Sequence, residues 1–442
     1  MRAGALVALT ALTGCSMGGS LPYMQAGTEL RSLNRTGAGK ITHVVYIVQE
    51  NRSFDNLFQG YPHANTVSEG KDSNGNTIKL QPSKLGADYE IDHSADAMFA
   101  ACNAPAGDLP GTHCRMDGFN NEGTDGYMKN PQYVYVPHDQ SKPYFDMARE
   151  GALADNMFQS QLDESFVAHQ YIIAAQAAWS VNLPGYWGCG GGKYNLIATI
   201  TVQREYGPPR KPCYDYQTLG DELDTAHLSW RFYASQYGSG SSGGGGEWSG
   251  YQAVRHIRFG PDWKKVISPN WKFITDVRKG QLANFTWITP VCDDSDHVNC
   301  PDDYGPSWVA ALVNAVGKSK FWNSTAIFIQ WDDWGGLYDH VPPPYLGRDS
   351  LGFRVPLIML SPYVRHGYIA HEQYETASVL RFAENLFGLA QLAAADKRAN
   401  SPADKCFDFS QKPQPFVKIA APKSARFFMH QFNDDYMAPD YE

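Results

Sequence analysis

Two apolar runs, far apart in the chain, each end on a pair of side chains able to hold a cation. Ile41–Gln49 (ITHVVYIVQ) runs straight into Glu50-Asn51, and Thr325–Trp331 (TAIFIQW) into Asp332-Asp333. Short runs that are β-branched and apolar on both faces predict strands buried on both sides, as in a parallel sheet. Open α/β sheets bind ligands at the carboxyl ends of their strands. Two strands delivering oxygen donors to one edge suit a divalent cation. Three carboxylates gathered there would repel one another without it. Either pair alone is equally an ordinary turn or helix cap, and the repetition carries the reading.

The rest of the chain alternates in the same way. Leu228–Ala234, Asn284–Thr289 and Phe353–Ser361 predict strands. Ala148–Phe158, Phe166–Ala178, Trp308–Val316 and Thr376–Phe387 predict helices. Strands alternating with helices imply an α/β/α sandwich around a mostly parallel central sheet. The catalytic domain is placed at 41–397, with 398–442 a polar, Pro-rich extension packed on the same domain. Gly238–Gly246 (GSGSSGGGG) predicts a flexible loop within that domain. With 43% hydrophobic and 19% charged residues, the chain builds a core and is not disordered. A net charge of -9 argues against a nucleic-acid surface. It leaves small phosphate esters open, since a bound cation supplies local positive charge.

Met1-Arg2 and the short apolar run Ala3–Thr13 precede Leu12-Thr13-Gly14-Cys15, which resembles the lipobox of bacterial lipoprotein signal peptides. The run is too short to span a bilayer. The expectation is a signal peptide at 1–14, a lipid on Cys15, a tether at 15–40 and export to a bacterial membrane surface. An ordinary cleaved signal peptide is the alternative. Six other cysteines fall into close pairs, predicting Cys102–Cys114, Cys189–Cys213 and Cys292–Cys300, with Cys406 left over. Proximity is the argument, because six cysteines allow many pairings.

Asp163-Glu164-Ser165 stands before the helical run that starts at Phe166. Free N–H groups at a helix N-terminus favour an anion such as a phosphoryl group, so Ser165 is a candidate nucleophile. The alternative makes Ser165 a helix cap. His169 follows four residues on, on the same helical face. His93, His297 and His340 each follow an aspartate that could orient the ring, although each could equally be a loop residue.

Three long motifs carry a resemblance. His43–Pro62 (HVVYIVQENRSFDNLFQGYP), Gly305–Pro344 and Gly352–Ile369 look like the successive hallmarks of the bacterial phosphoesterase family of phospholipases C and acid phosphatases. Met116–Phe119 and Ala154–Phe158 fit between them, so the resemblance spans Ile41 to Leu389. It implies an alkaline-phosphatase-like fold. It implies that Glu50, Asn51, Asp332 and Asp333 bind one divalent metal ion, with Ca, Mg, Mn and Zn all open. Ser165 would attack phosphorus, with His93 on the phosphoryl group and Asn51 touching the phosphate. His297 and His340 would complete the phosphate pocket, one of them protonating the leaving group. The implied activity is acid phosphatase on small phosphate esters, or phospholipase C on phospholipid. A third reading, an inert surface-binding lipoprotein, sits poorly with the intact acidic pairs. Many family members have Gly-Pro before the nucleophile and Pro-Asn-His after it. Here Asp163-Glu164 and Val167-Ala168-His169 stand in those places.

Overall fold

The structure, a computed structural model, describes Met1 and residues 36–235, 248–300 and 302–431. The signal peptide, Cys15, most of the tether and the Gly238–Gly246 loop lie outside the described residues. Among the described residues no helix is long and apolar enough to cross a membrane.

Eight strands form the central sheet: β1 His43–Gln49, β2 Ala152–Ala154, β3 Trp230–Tyr233, β4 Val266–Ile267, β5 Phe285–Ile288, β6 Thr325–Trp331, β7 Leu357–Leu360 and β8 Tyr368–Ala370. Their order is β4-β3-β5-β1-β6-β7-β2-β8. Every pairing is parallel except those of β7, which runs antiparallel to both neighbours. β1 and β6 lie side by side at the centre, paired from His43↔Thr325 to Gln49↔Trp331. That register brings Glu50 and Asp332, predicted from two separate strand ends, to the same level of one edge.

The main helices are α1 Phe54–Phe58, α2 Ala95–Cys102, α3 His138–Glu150, α4 Ser165–Ala174, α5 Leu219–Thr225, α6 Lys272–Arg278, α7 Gly305–Gly317 and α8 Ala377–Phe387. They pack in two sets: α7 against α3 and α6, and α4 against α5 and α8. β1 and β6 are buried along almost their whole length, as strands covered on both faces must be. Residues beyond 398 add Cys406, Phe407, Phe409, Ile419 and Phe428 to the same core.

Three expectations change. Ala148–Phe158 is not a helix: α3 ends at Glu150, and Ala152–Ala154 joins the sheet as β2. Pairing of β2 between β7 and β8 overrides the helix preference of Ala and Leu. Pro143 inside α3 masks that helix in the sequence pattern. The helix expected at Phe166–Ala178 stops at Ala174, where Ala175 turns left-handed at φ 54°. The strand expected at Phe353–Ser361 is confined to Leu357–Leu360, because Pro356 offers no N–H and Arg354 is engaged elsewhere.

All three expected disulfides form, and Cys406 is free and buried. Cys102–Cys114 ties down the end of α2, just beyond His93, and Cys292–Cys300 closes the loop carrying His297. Short closures of this kind contribute roughly 2–4 kcal/mol each by restricting the unfolded chain.

Candidate active site at the carboxyl edge of the sheet

The turn off β1 sets the geometry. Asn51 adopts φ 53°, a left-handed conformation that asparagine tolerates better than most residues. Its backbone N–H then donates to Asp332 Oδ1 at 3.0 Å, locking the two strand ends together. Gly335 completes the turn after β6: its N–H donates to Asp333 Oδ1 at 2.8 Å. A Cβ there would meet the Asn51 carbonyl oxygen at 2.5 Å, and φ is 61°, so only glycine fits.

Ser165 opens α4, a helix buried on every side. The preceding N-cap residue is Glu164, whose side chain makes no cap bond. Ser165 Oγ instead reaches across to Asn51 Oδ1 at 3.3 Å and Asp333 Oδ2 at 3.2 Å. The N-terminus of α4 therefore meets the two strand ends, and a helix N-terminus favours an anion. Just upstream, Asp163 accepts from the backbone N–H groups of Glu164 at 2.8 Å and Asn182 at 2.6 Å. Burial pushes its carboxyl up to about 7, against the pull of those two donors.

Glu50 and Asp332 meet an unexpected third partner. His169 Nε2 lies 3.1 Å from Glu50 Oε1 and 3.6 Å from Asp332 Oδ2, all of them buried. The three residues each offer a ligand atom within 4.8 Å of the others. Asp332 Oδ2 is buried against His169 and Glu50, and two buried carboxylates this close suit a cation between them. Burial resists ionisation of Asp332, yet His169 and the Asn51 N–H hold its carboxyl below the ordinary range. Two carboxylates and an imidazole form a donor set suited to a divalent ion. The expected ligands thus divide. Glu50 and Asp332 gather with His169, whereas Asn51 and Asp333 surround the Ser165 hydroxyl. The sequence signal for His169 is its position one helical turn after Ser165.

His93 and His297 flank this centre. His93 Nδ1 donates to the Ile91 carbonyl at 2.9 Å, so its Nε2 accepts from Asn51 Nδ2 at 2.9 Å. That nitrogen lies 4.0 Å from Asp333 Oδ2. His297 Nδ1 is held by the Val298 carbonyl, its ring 6.3 Å from that of His93 and stacked on Trp248. Pinning Nδ1 to a backbone carbonyl fixes the tautomer and leaves Nε2 for the site. The loop of His297 is anchored by neighbours of the acidic pairs. Asp296 N–H donates to Gln49 Oε1 at 3.0 Å, and Arg52 Nε donates to the Asp296 carbonyl at 2.6 Å. Trp331 Nε1 and the Tyr144 hydroxyl donate to Asp296 Oδ2. Burial raises that carboxyl to about 6, partly offset by Arg52.

His340 goes elsewhere. Its Nδ1 lies 2.6 Å from Asp55 Oδ2 and its Nε2 3.1 Å from Asn65 Oδ1. Asp55, Asp339 and His340 form a second acidic group, but Arg354 fills it. Arg354 Nε and Nη2 grip the two oxygens of Asp339 at 2.8 and 3.0 Å, and Nη1 donates to the Asp155 carbonyl. A bidentate guanidinium already supplies the cation there. The structure therefore puts His340 in a clamp that joins the three sequence motifs, not on the phosphate pocket.

Ser165, both acidic strand ends, His93, His169 and His297 thus gather at one edge of the sheet. In comparison with known proteins, residues 41–390 match the Phosphoesterase family, and the chain belongs to it. It is 24% identical over 426 residues to a non-hemolytic phospholipase C of Burkholderia pseudomallei, covering 83% of this chain and 58% of that protein. It is 32% identical over 395 residues to non-specific phospholipase C6 of Arabidopsis thaliana, covering 79% and 68%. A solved structure of a protein in the alkaline phosphatase superfamily from Vibrio parahaemolyticus matches at 10% identity and TM-score 0.36, covering 85% of this chain and 71% of that one. The chain spans just over half the length of the Burkholderia protein.

Proposed function

We propose that the chain cleaves phosphate esters through Ser165, with phospholipids as its substrates in the manner of a phospholipase C. The observation that carries the serine is its hydroxyl, held between Asn51 and Asp333 at the N-terminus of a buried helix. Asp333 takes the hydroxyl proton as Oγ bonds to phosphorus and the ester P–O bond breaks. The first-turn N–H groups of α4 and the Asn51 amide receive the developing negative charge. His297, in its doubly protonated form, gives its Nε2 proton to the departing oxygen and regains one from the attacking water, while Asp333 returns its proton to Ser165 Oγ. A water then cleaves the phosphoserine and frees the phosphorylated product and Ser165. Glu50, Asp332 and His169 would hold the divalent ion, with Asp333 and Asn51 beside it. The ion supplies Lewis acidity and charge neutralisation.

The relatives named as phospholipases C favour a phosphodiester in lipid over the phosphomonoester of an acid phosphatase. Parallel assays on p-nitrophenyl phosphate and phosphatidylcholine decide between them. Release of diacylglycerol at a higher kcat/KM than p-nitrophenol is the expected result. A reversed order returns the chain to the acid-phosphatase reading.

Export with a lipid on Cys15 belongs to the same proposal. Three disulfides suit an oxidising compartment. Mass spectrometry of the mature N-terminus is expected to find a diacylated Cys15. A mature chain that starts beyond Cys15 would rule the anchor out.

A further inference from the structure

An exposed apolar face is tied to the segment that leads into Ser165. Trp179, Val202, Tyr206, Tyr345 and Leu346 are each 45 to 52% exposed. Single exposed apolar residues are unremarkable on any protein surface, but these five are fastened together. Ser180–Val181, Ile197–Ile200 and Tyr206–Arg210 form a three-stranded antiparallel sheet, with Val202 in the turn between the last two strands. Arg204, buried in that turn, donates to the carbonyls of Pro110, Gly347, Arg348 and Ser350 and lies 5.0 Å from the Tyr345 ring. Arg348 in turn lies 4.2 Å over the Trp179 ring. The small sheet and the 345–350 loop are therefore joined into one surface.

That surface is attached to the catalytic elements. The Tyr206 hydroxyl donates to Asp96 in α2, three residues beyond His93. Asn182 Nδ2 donates to the Tyr206 hydroxyl at 3.1 Å, and the Asn182 N–H donates to Asp163, two residues before Ser165. Ala178 and Trp179 both adopt positive φ, at 52° and 64°. Two successive non-glycine residues in this region are strained, and the strain is held by the Ala178 and Trp179 carbonyls accepting from Arg210 and Ile200. The result turns the Trp179 indole outward.

We propose that this face docks on the surface of a phospholipid bilayer and presents lipid phosphates to Ser165. The proposal deepens the phospholipase reading and rests on it for the identity of the substrate. Charge selects the occupant. Between Ala178 and Tyr214 the chain exposes Lys193, Arg210 and Lys211 against Glu205, with Arg348 beside Trp179, although its net charge is -9. Trp and Tyr with arginine stems among them suit the headgroup layer, where rings sit half in hydrocarbon and cations meet phosphate. Tyr206 is linked through Asn182 to Asp163, so a docked bilayer would engage the segment that leads into Ser165.

The test is sedimentation with vesicles of phosphatidylcholine and phosphatidylglycerol, beside turnover of soluble p-nitrophenyl phosphorylcholine. Wild-type protein is expected to sediment with the vesicles, and less so at high salt. Val202→Asp and Leu346→Asp are each expected to weaken vesicle binding by about tenfold or more, the effect of losing one buried aliphatic contact. Their turnover of the soluble ester stays at the wild-type level, which also reports that they fold. Val417→Asp, equally exposed but on the C-terminal segment, is expected to bind like the wild type. Wild-type protein that stays in solution, two variants that sediment normally, or an equal loss for Val417→Asp would each overturn the docking face. Failure of the phospholipase reading is separate: it shows as p-nitrophenyl phosphate turned over at a higher kcat/KM than phosphatidylcholine, whatever the vesicles do.

Discussion

Ser165→Ala is expected to lower turnover by roughly four orders of magnitude or more, the scale of losing a nucleophile, while leaving the melting temperature nearly unchanged. The competing reading makes Ser165 a helix cap, whose loss costs about 1 kcal/mol of stability and little rate. The N-cap position belongs to Glu164, and Ser165 Oγ bonds outside its own helix, to Asn51 and Asp333. Alanine removes a single neutral donor from a site with other hydrogen bonds. The thermal shift should therefore be at most about 2–4 °C in a chain of this size. Acid-quenched wild-type enzyme, digested after exposure to substrate, should yield a phosphopeptide containing Ser165. Normal turnover in the alanine variant, or phosphate on a different peptide, would remove Ser165 from the mechanism.

The parts of this site that are legible in the sequence are those fixed by local pattern. A buried strand ends where its apolar run ends, so the pattern alone places Glu50-Asn51 and Asp332-Asp333 at the sheet edge. Close cysteine pairs predict the three disulfides for the same reason: short loops hold their ends together. What stays illegible depends on packing between distant segments. His340 follows an aspartate as His93 and His297 do, and nothing local distinguishes the three. Only the arrival of Arg354 beside Asp339 draws His340 into a clamp. His169 is visible as a neighbour of Ser165 on one helical face. Its pairing with Glu50 depends on how α4 lies against β1. β2 reads as helix because three residues of Ala and Leu carry no strand signal until β7 and β8 enclose them.

Asp332→Ala is expected to abolish turnover and to strip the bound metal, with the two losses in parallel. Asp332 does two things at once. Its Oδ1 accepts from the Asn51 N–H and so holds the turn that carries Asn51 to the serine. Its Oδ2 faces Glu50 and His169, where a cation would be held. Removing it leaves one carboxylate and one imidazole, too few donors to keep a divalent ion in competition with water. Metal content by elemental analysis should fall from one ion per chain to near zero. Stability gives a readout independent of activity. Bound ligand stabilises the native state by RT ln(1 + [M]/Kd), about 2.7 kcal/mol at a hundredfold excess over Kd. Added metal should therefore raise the melting temperature of the wild type and leave that of the variant where it was. In metal-free protein the variant should itself lose some stability, because His169 and the Asn51 N–H favour the ionised Asp332, so the readout is the melting shift on adding metal and not the starting value. His169→Ala tests the third donor and should also weaken metal retention. Asp55→Asn, in the Arg354 clamp, should leave metal content intact. A variant lacking Asp332 that still binds one ion and still shows a metal-dependent melting shift would move the metal away from this edge of the sheet. Full metal in that variant combined with lost turnover would instead assign Asp332 to holding the Asn51 turn alone.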